Sequence, residues 1–390
     1  MELTFEDVFN SGPPQEPLEE NFQVTIHRGI SVNAEAFAVP FDPREGAPSR
    51  EKFFLISSLQ GYMLNGRPNI SLDHHGQDWG ELFFCLVLSR TELQEATENS
   101  LSAFQAPDPE DVQHVVVKKL NKAVVKTYLE NGGHEDPYKE IVRMQQLGDG
   151  VHVLPIVEAL EDDQFLYIIT PFCTDGTLLE AIRFREGLPE ARALVYFKNI
   201  LEILEYLELH GICHHDISPD NLLFYNGRLV LFDFAMSFRV PREEEGRRRF
   251  LTLPQGRFGT FATQAPELFH NESAFDGIAT DLWSACVVLY FVITGFPLYE
   301  LPYPVDIKYL YYILAEGLQP GLNEQMVEIM EEAFQPGNES NQQALMVRAM
   351  ANLNIPPGAL EILTHVLVHR PADRWTLQQV LDSAWVQHNP

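Results

Sequence analysis

The chain has 390 residues, of which 45% are hydrophobic, enough to fill one large two-lobed fold or two to three separate domains. Its 56 Asp and Glu residues outnumber its 27 Lys and Arg residues, which gives a formal net charge of −29. This balance excludes a general nucleic-acid binder, which needs a basic face for the phosphates, and it favours basic partners.

Cysteine usage and apolar segments bear on the compartment. The four cysteines lie far apart and form no CxxC pair, so we expect a reducing, intracellular location, either cytoplasmic or nuclear. The N-terminus is not typical of a secretory signal, because it has early acids and no basic segment before an apolar one. The longest uncharged stretch begins at Leu282 and is broken by Gly295 and Pro297. We therefore expect a buried helix there and no membrane partner.

Residues 1–80 contain Pro and Gly clusters and are expected to form an N-terminal extension of unassigned role. From residue 81 the pattern becomes β-rich. "ELFFCLVLSR" and "QHVVVKKLNKAVVKTYL" are interpreted as strands, and "KLNK" as a hairpin turn that leaves Lys126 on a strand. "EDPYKEIVRMQQL", with Pro137 near its start, predicts a helix, and "FLYIITPF" predicts a buried strand.

Beyond Gly176 the sequence is dominated by long helical patterns. "PEARALVYFKNILEILEYLELHG" places apolar residues on one helix face: Leu194, Phe197, Leu201, Leu204 and Leu207. The fold class is therefore predicted to be α+β, with a β-rich lobe at 81–172 and a helical lobe at 173–388. We expect a ligand in the cleft between lobes and a helical insertion at 315–357.

The segment "HHDISPDNLLFYNGRLVLFDFA" concentrates polar residues around a predicted strand hairpin. The hairpin would bring together three oxygen ligands, from Asp216, Asn221 and Asp233. His214 and His215 could instead be zinc ligands of a metal-dependent hydrolase. However, adjacent residues of an extended segment point to opposite faces, and no third ligand has suitable spacing.

The chain contains six motifs in a fixed order: "AVVK", "HHDISPDN", "DFA", "APE", "DLWSACVVLYFVITG" and "RPADRWT". Over about residues 81–388 it therefore resembles the eukaryotic protein kinases, in which such motifs occur in this order. The resemblance implies a bilobal kinase fold that uses ATP and Mg²⁺. It implies that Asp216 accepts the proton of a substrate hydroxyl and that Asn221 and Asp233 hold Mg²⁺. It also implies an ion pair between Lys126 and Glu140 that positions the nucleotide phosphates.

Further contacts follow from the same resemblance. Arg374 would pair with Glu267, and Thr260 would contact Asp216, which favours serine or threonine as the acceptor in a protein substrate. Asp220 and the net charge favour basic substrates. The residues expected to contact the nucleotide are Lys126, Val124, Thr170, Phe172, Cys173 and Leu223.

The chain also departs from the family pattern. No GxGxxG occurs between residues 81 and 126, Val124 occupies a position that is usually alanine, and Ser218 replaces a lysine. His215 replaces the arginine that normally holds an activation-loop phosphate. These departures motivate an alternative function, a pseudokinase that binds a nucleotide or a partner as a scaffold. The segment 315–357 is a candidate surface for a regulatory partner.

Overall fold

The computed structural model describes residues 26–28, 30–33, 36–38, 53–56, 69–74, 77–88, 114–182, 186–240, 259–270, 274–300, 355–368 and 370–387. The chain divides into two compact units, one spanning Glu19–Thr174 and the other containing Asp175–Pro390. The predicted α+β class, with a β-rich part before a helical part, is confirmed. The predicted boundaries at residues 80 and 172 stay predictions.

The first unit combines one large sheet with two helices. Its helices are α1 (Lys122–Glu130) and α2 (Pro137–Leu147). Its strands are β1 (His27–Arg28), β2 (Ile30–Asn33), β3 (Ala36–Ala38), β4 (Phe53–Ile56), β5 (Asn69–His74), β6 (Gln77–Leu88), β7 (His114–Asn121), β8 (Glu158–Glu161) and β9 (Phe165–Pro171).

The sheet closes on itself. Its strand order is β1-β8-β9-β7-β6-β4-β3-β2, with β5 paired to β6 outside this path. Only residue 29 separates β1 from β2, so the two ends of the order are consecutive in the chain. Counting β1 and β2 as one run, a ring of seven strands cannot alternate direction throughout and needs one parallel pair. The β1–β8 pair is parallel, whereas the other pairs around the ring are antiparallel.

The two faces of this closed sheet carry different apolar clusters. The inner cluster consists of residues from the strands alone: Phe83, Cys85, Val115, Val117, Leu160, Tyr167 and Ile169. The outer cluster combines strand residues such as Trp79 and Leu120 with Val125 of α1 and Ile141 of α2. Alternate residues of β7 therefore point to opposite faces, and the outer face is covered by the helices.

The predicted hairpin turn at "KLNK" is wrong. Asn121 ends β7 and is the N-cap of α1, because its side chain accepts hydrogen bonds from the backbone N–H groups of Ala123 and Val124. The segment interpreted as a second strand is therefore a helix, whose buried face includes Val125. The helix predicted after Pro137 is confirmed as α2, which Asp136 caps.

The second unit is mainly helical. It contains α3 (Leu178–Ala181), α4 (Glu190–Leu209), α5 (Pro266–His270), α6 (Gly277–Thr294), α7 (Pro357–Val366), α8 (Leu377–Leu381) and α9 (Ala384–Gln387). Its short strands are β10 (Ile212–Cys213), β11 (Leu222–Tyr225), β12 (Arg228–Leu231) and β13 (Phe238–Arg239), which pair as β10–β13 and β11–β12.

Helix α6 is the apolar helix expected from the sequence. By length and composition alone it is the one described helix that could cross a membrane, but 89% of its residues are buried inside the fold. It packs against α4 and α7. Asp276 caps its N-terminus and Gly295, in the left-handed conformation, ends it. Nearly all of the helical insertion predicted at 315–357 lies outside the described residues, which resume at residue 355.

Candidate active site

A buried ion pair lies on the outer face of the closed sheet. Nζ of Lys118 is 2.9 Å from Oε2 of Glu140, and the two side chains are 17% and 4% exposed. Lys118 belongs to β7, on the same face as Val116 two residues earlier. Glu140 belongs to the first turn of α2. Helix α2 therefore presents a carboxylate to a lysine on the sheet that it covers.

The prediction that Lys126 pairs with Glu140 is wrong. Lys126 lies on α1, its side chain is 75% exposed, and it pairs with Glu130 one helical turn away at 3.7 Å. The glutamate was identified correctly and the lysine was not. The missed lysine follows "VVV", a β-branched run at residues 115–117 that indicates a strand as strongly as "AVV" does at 123–125.

The predicted nucleotide contact of Val124 is wrong for the same reason. Val124 is on α1 and packs on the outer apolar cluster. The residue two before the paired lysine is Val116, which lies directly opposite Thr170 in the β7–β9 register. The chain thus still has a valine two positions before this lysine.

Three other residues predicted to contact the nucleotide have local contacts within their own units. Phe172 follows β9 and donates its backbone N–H to the carbonyl of His114 at 3.1 Å. Cys173 is buried, and its Sγ is 4.0 Å from the carbonyl oxygen of Pro171. Leu223 lies on β11 in the second unit and forms an isolated bridge with Thr177. Their contact with a nucleotide stays a prediction.

A strand hairpin adjoins the lysine strand. Strand β5 pairs with the first half of β6, and β6 pairs with β7 along its other edge. Gly80 of β6 is required there, because a Cβ at this position would lie 2.0 Å from the backbone oxygen of Lys119. This glycine lies just before residues 81–126, which contain no GxGxxG motif and of which residues 89–113 fall outside the described part of the chain.

In the second unit, hydrogen bonds reach both carboxylate oxygens of Asp216. The backbone N–H of Thr260 donates to Oδ1 at 2.7 Å, and Nδ2 of Asn221 donates to Oδ2 at 2.8 Å. The predicted contact between Thr260 and Asp216 is therefore confirmed. A carboxylate held in a fixed orientation suits the acceptance of a proton from a hydroxyl.

Burial raises the pKa of Asp216, and the nearby carboxylate of Asp233 raises it further. The hydrogen bonds from Thr260 act in the opposite direction. A carboxylate with a raised pKa is a stronger base, as general-base catalysis requires.

His214 links the segments that carry the two aspartates. Its Nε2 is 3.0 Å from the carbonyl of Phe232, and its Nδ1 accepts the backbone N–H of Asp216 at 3.2 Å. This pattern requires the neutral tautomer with its proton on Nε2, and burial lowers the pKa of His214 accordingly. Both ring nitrogens are engaged with the backbone, so His214 has no lone pair for zinc. Its ring also packs edge-on against Phe234, with 4.7 Å between the ring centroids.

Asn221 and Asp233 provide oxygen donors of the kind that Mg²⁺ prefers. Both hydrogens of the Asn221 amide are directed to Asp216, to its backbone oxygen at 2.9 Å and to its Oδ2. The amide oxygen of Asn221 therefore points away from Asp216. Asp233 has a left-handed backbone with φ of 62°, which a non-glycine residue adopts only where its surroundings enforce it. The donor set fits the predicted ion.

Helix α6 anchors this segment. The buried carboxylate of Asp281 accepts the backbone N–H groups of His214 at 2.6 Å and His215 at 2.9 Å. Complete burial raises the pKa of Asp281 to about 7, while the two amides favour its charged form.

A second anchor joins α5 to the segment after α7. Two guanidinium nitrogens of Arg374 donate to the two carboxylate oxygens of Glu267 at 2.6 and 2.8 Å, which confirms the predicted pair. The guanidinium also lies over the ring of Trp283, 4.5 Å from its centroid.

Ser218, which replaces a lysine of the family pattern, is fully buried.

Comparison with known proteins agrees with this geometry. A model of the protein kinase domain matches residues 100–386. Calcium-dependent protein kinase 14 of Arabidopsis thaliana is 25% identical over 276 residues, covering 70% of this chain and 44% of that protein. CBL-interacting serine/threonine-protein kinases 26 and 16 of the same plant are 26% and 30% identical, covering 73% and 51% of this chain and 55% and 42% of theirs. The chain thus spans about half the length of these relatives.

Proposed function

Because this chain belongs to the protein kinase family, we propose that it transfers the γ-phosphate of ATP to serine or threonine hydroxyls of protein substrates. The observation that carries this proposal is the fixed orientation of Asp216, whose two carboxylate oxygens accept hydrogen bonds from Thr260 and Asn221. The names of the relatives support serine and threonine over tyrosine as acceptors.

Asp216 acts as the general base in this proposal. Its raised pKa and fixed orientation favour removal of the hydroxyl proton as the phosphate is transferred. Lys118 replaces Lys126 as the lysine that contacts the nucleotide phosphates, and Glu140 fixes the position of its ammonium group.

The amide oxygen of Asn221 and the carboxylate of Asp233 would hold Mg²⁺, which when bound neutralises phosphate charge. The hydrogen bonds from Asn221 to Asp216 mean that one side chain would serve both the ion and the base. Thr260 and His214 keep the base in place from two further directions.

The test is transfer of labelled γ-phosphate from ATP, with Mg²⁺, to a basic generic protein by the wild type and by Asp216→Asn. The variant keeps the size of the side chain and loses the base, so transfer should fall by about 100-fold to 10,000-fold. Both proteins must show the same circular dichroism and the same melting temperature. Equal background in both at high protein concentration would reject phosphoryl transfer and favour a scaffold that binds without turnover.

A further inference from the structure

The side chain of His215, the residue before Asp216, is enclosed at the start of helix α6. Only 4% of the residue is exposed. Its Nε2 lies 3.2 Å from Sγ of Cys213, and its ring packs against the rings of Phe238 and Phe275 at centroid distances of 5.1 and 5.6 Å. The imidazole therefore fills a closed site within the second unit and does not face solvent.

The thiol of Cys213 forms one wall of this enclosure. Burial raises the pKa of Cys213 well above its usual value, so the thiol stays neutral. Its Sγ donates to the carbonyl of Phe238 at 3.5 Å. The sulfur directs this donor to Phe238 and at the same time lies within contact distance of Nε2 of His215.

The first residue of α6 is adapted to the same contact. A Cβ at Gly277 would lie 2.5 Å from Sγ of Cys213 and 3.2 Å from Nε2 of His215. Only glycine lets the helix begin so close to this pair. One turn later, Asp281 accepts the N–H of His215. The same helix thus holds both the backbone and the ring of His215.

The backbone of His215 shows why such an enclosure is needed. Its φ of 66° lies in the left-handed region, which residues other than glycine rarely adopt. A strained residue of this kind persists only where its surroundings enforce it. Relaxation at His215 would turn the peptide that leads into Asp216 and would disturb the hydrogen bonds from Thr260 and Asn221.

We propose that His215 is a positioning residue for Asp216, and that Cys213 and Gly277 complete the enclosure that holds it. The proposal rests on the proposed phosphoryl transfer, because it assigns His215 a role in that reaction. The ring acts through the backbone of Asp216 and has no direct contact with substrate. Its loss should therefore lower kcat and leave the KM for ATP unchanged.

Steady-state kinetics of His215→Phe, Cys213→Ala and the double variant test this role. His215→Phe keeps an aromatic ring but loses the contact from Nε2 to sulfur, and we expect kcat to fall by about 10-fold to 100-fold. The double variant should be no slower than His215→Phe alone, since both changes remove the same contact. Cys286→Ala is the matched control, because Cys286 is also a fully buried cysteine, but it lies on α6. Its kcat should stay within about twofold of the wild type, as expected for residues that do not share a contact.

Hydrogen exchange on the full chain separates failure of this proposal from failure of the proposed function. Amides of residues 212–221 should exchange faster in His215→Phe than in the wild type and Cys286→Ala. If the wild type transfers no phosphate, the proposed function fails and the exchange measurement still decides whether His215 holds this segment. Wild-type kcat in folded His215→Phe, or unchanged exchange at these residues, would overturn the proposal.

Discussion

Nζ of Lys118 lies 2.9 Å from Oε2 of Glu140. This largely buried ion pair joins strand β7 to helix α2. Glu140 is almost fully buried, so the loss of its cation would leave an uncompensated charge. A second lysine eight residues further along the chain, Lys126, makes only an exposed pair with Glu130. Substitution of each lysine in turn therefore tests which one contacts the nucleotide phosphates.

We expect Lys118→Met to lose phosphate transfer and Lys126→Met to retain it. Methionine keeps the length of the side chain and removes the charge, so the comparison isolates the ammonium group. Removal of one electrostatic group from an active site lowers kcat by about 100-fold to 1000-fold. Transfer of labelled phosphate from ATP measures the effect. Loss of activity in Lys126→Met with normal activity in Lys118→Met would contradict the assignment.

These lysines also show how far the sequence could predict the site. Asp216, Asn221 and Asp233 fall in one short segment, and the resemblance to protein kinases implied their roles as well as the contact of Thr260. Lys118 follows three valines and Lys126 follows two, so the local pattern does not distinguish them. The distinguishing feature is Asn121, which caps α1 and converts the expected second strand into a helix.

The closure of the sheet was beyond sequence reasoning for a different reason. Residues 1–80 contain Pro and Gly clusters with short apolar runs. No local pattern indicates which strands of the sheet these runs pair with. The pairing of His27 with Leu160 and of Phe53 with Leu88 is set by contacts between distant parts of the chain. Such pairing depends on packing against partners that periodicity does not reveal.

The pair between Arg374 and Glu267 predicts a large effect on stability. The two side chains are 2% and 10% exposed, so Arg374→Ala would leave a buried carboxylate without its cation and cost about 3–5 kcal/mol. Arg228→Ala is the matched control, because Arg228 pairs with Glu202 on the surface and such pairs contribute about 0–1 kcal/mol. Urea denaturation followed by circular dichroism measures both. Equal midpoints for the two variants would show that the buried pair contributes no more than the surface one.

His214 predicts a pH dependence of stability. Burial lowers its pKa in the folded state below the ordinary value of 6.5, so the unfolded chain binds the proton first as the pH falls. The contribution of neutral His214 to the free energy of unfolding is thus fully present above pH 6.5. It is lost as the pH falls towards the lower folded-state pKa. His214→Phe keeps the ring packing on Phe234 but loses the hydrogen bonds to Asp216 and Phe232.

We expect His214→Phe to be less stable than the wild type by about 1–3 kcal/mol at pH 7.5, because buried backbone groups lose their partners. The difference should shrink as the pH falls below 6.5, since proton uptake on unfolding destabilises only the wild type. Denaturation midpoints of both proteins at several pH values measure this difference. A gap that widens as the pH falls would mean that His214 is charged in the folded state.

The closed sheet predicts a cross-link between its two ends. Arg28 of β1 pairs with Glu161 of β8, and paired residues on neighbouring strands lie about 5 Å apart at Cα, within the range that a disulfide spans. Mild oxidation of the full-length variant with Arg28→Cys and Glu161→Cys should therefore form an internal disulfide, read out as a loss of two thiols in thiol titration under denaturing conditions.

The control for this cross-link moves one cysteine along the same strand. Glu158 pairs with Ile169 of β9 and lies three residues from Glu161, or about 10 Å along an extended strand, which is too far for a disulfide with residue 28. Arg28→Cys combined with Glu158→Cys should keep both added thiols under the same oxidation. Equal cross-linking in both variants would mean that β1 does not hold a fixed register on β8, and no cross-linking in either would mean that the sheet is open. Cross-linking confined to the first variant would make β1 an integral part of the sheet that carries Lys118, although the kinase-domain match begins only at residue 100.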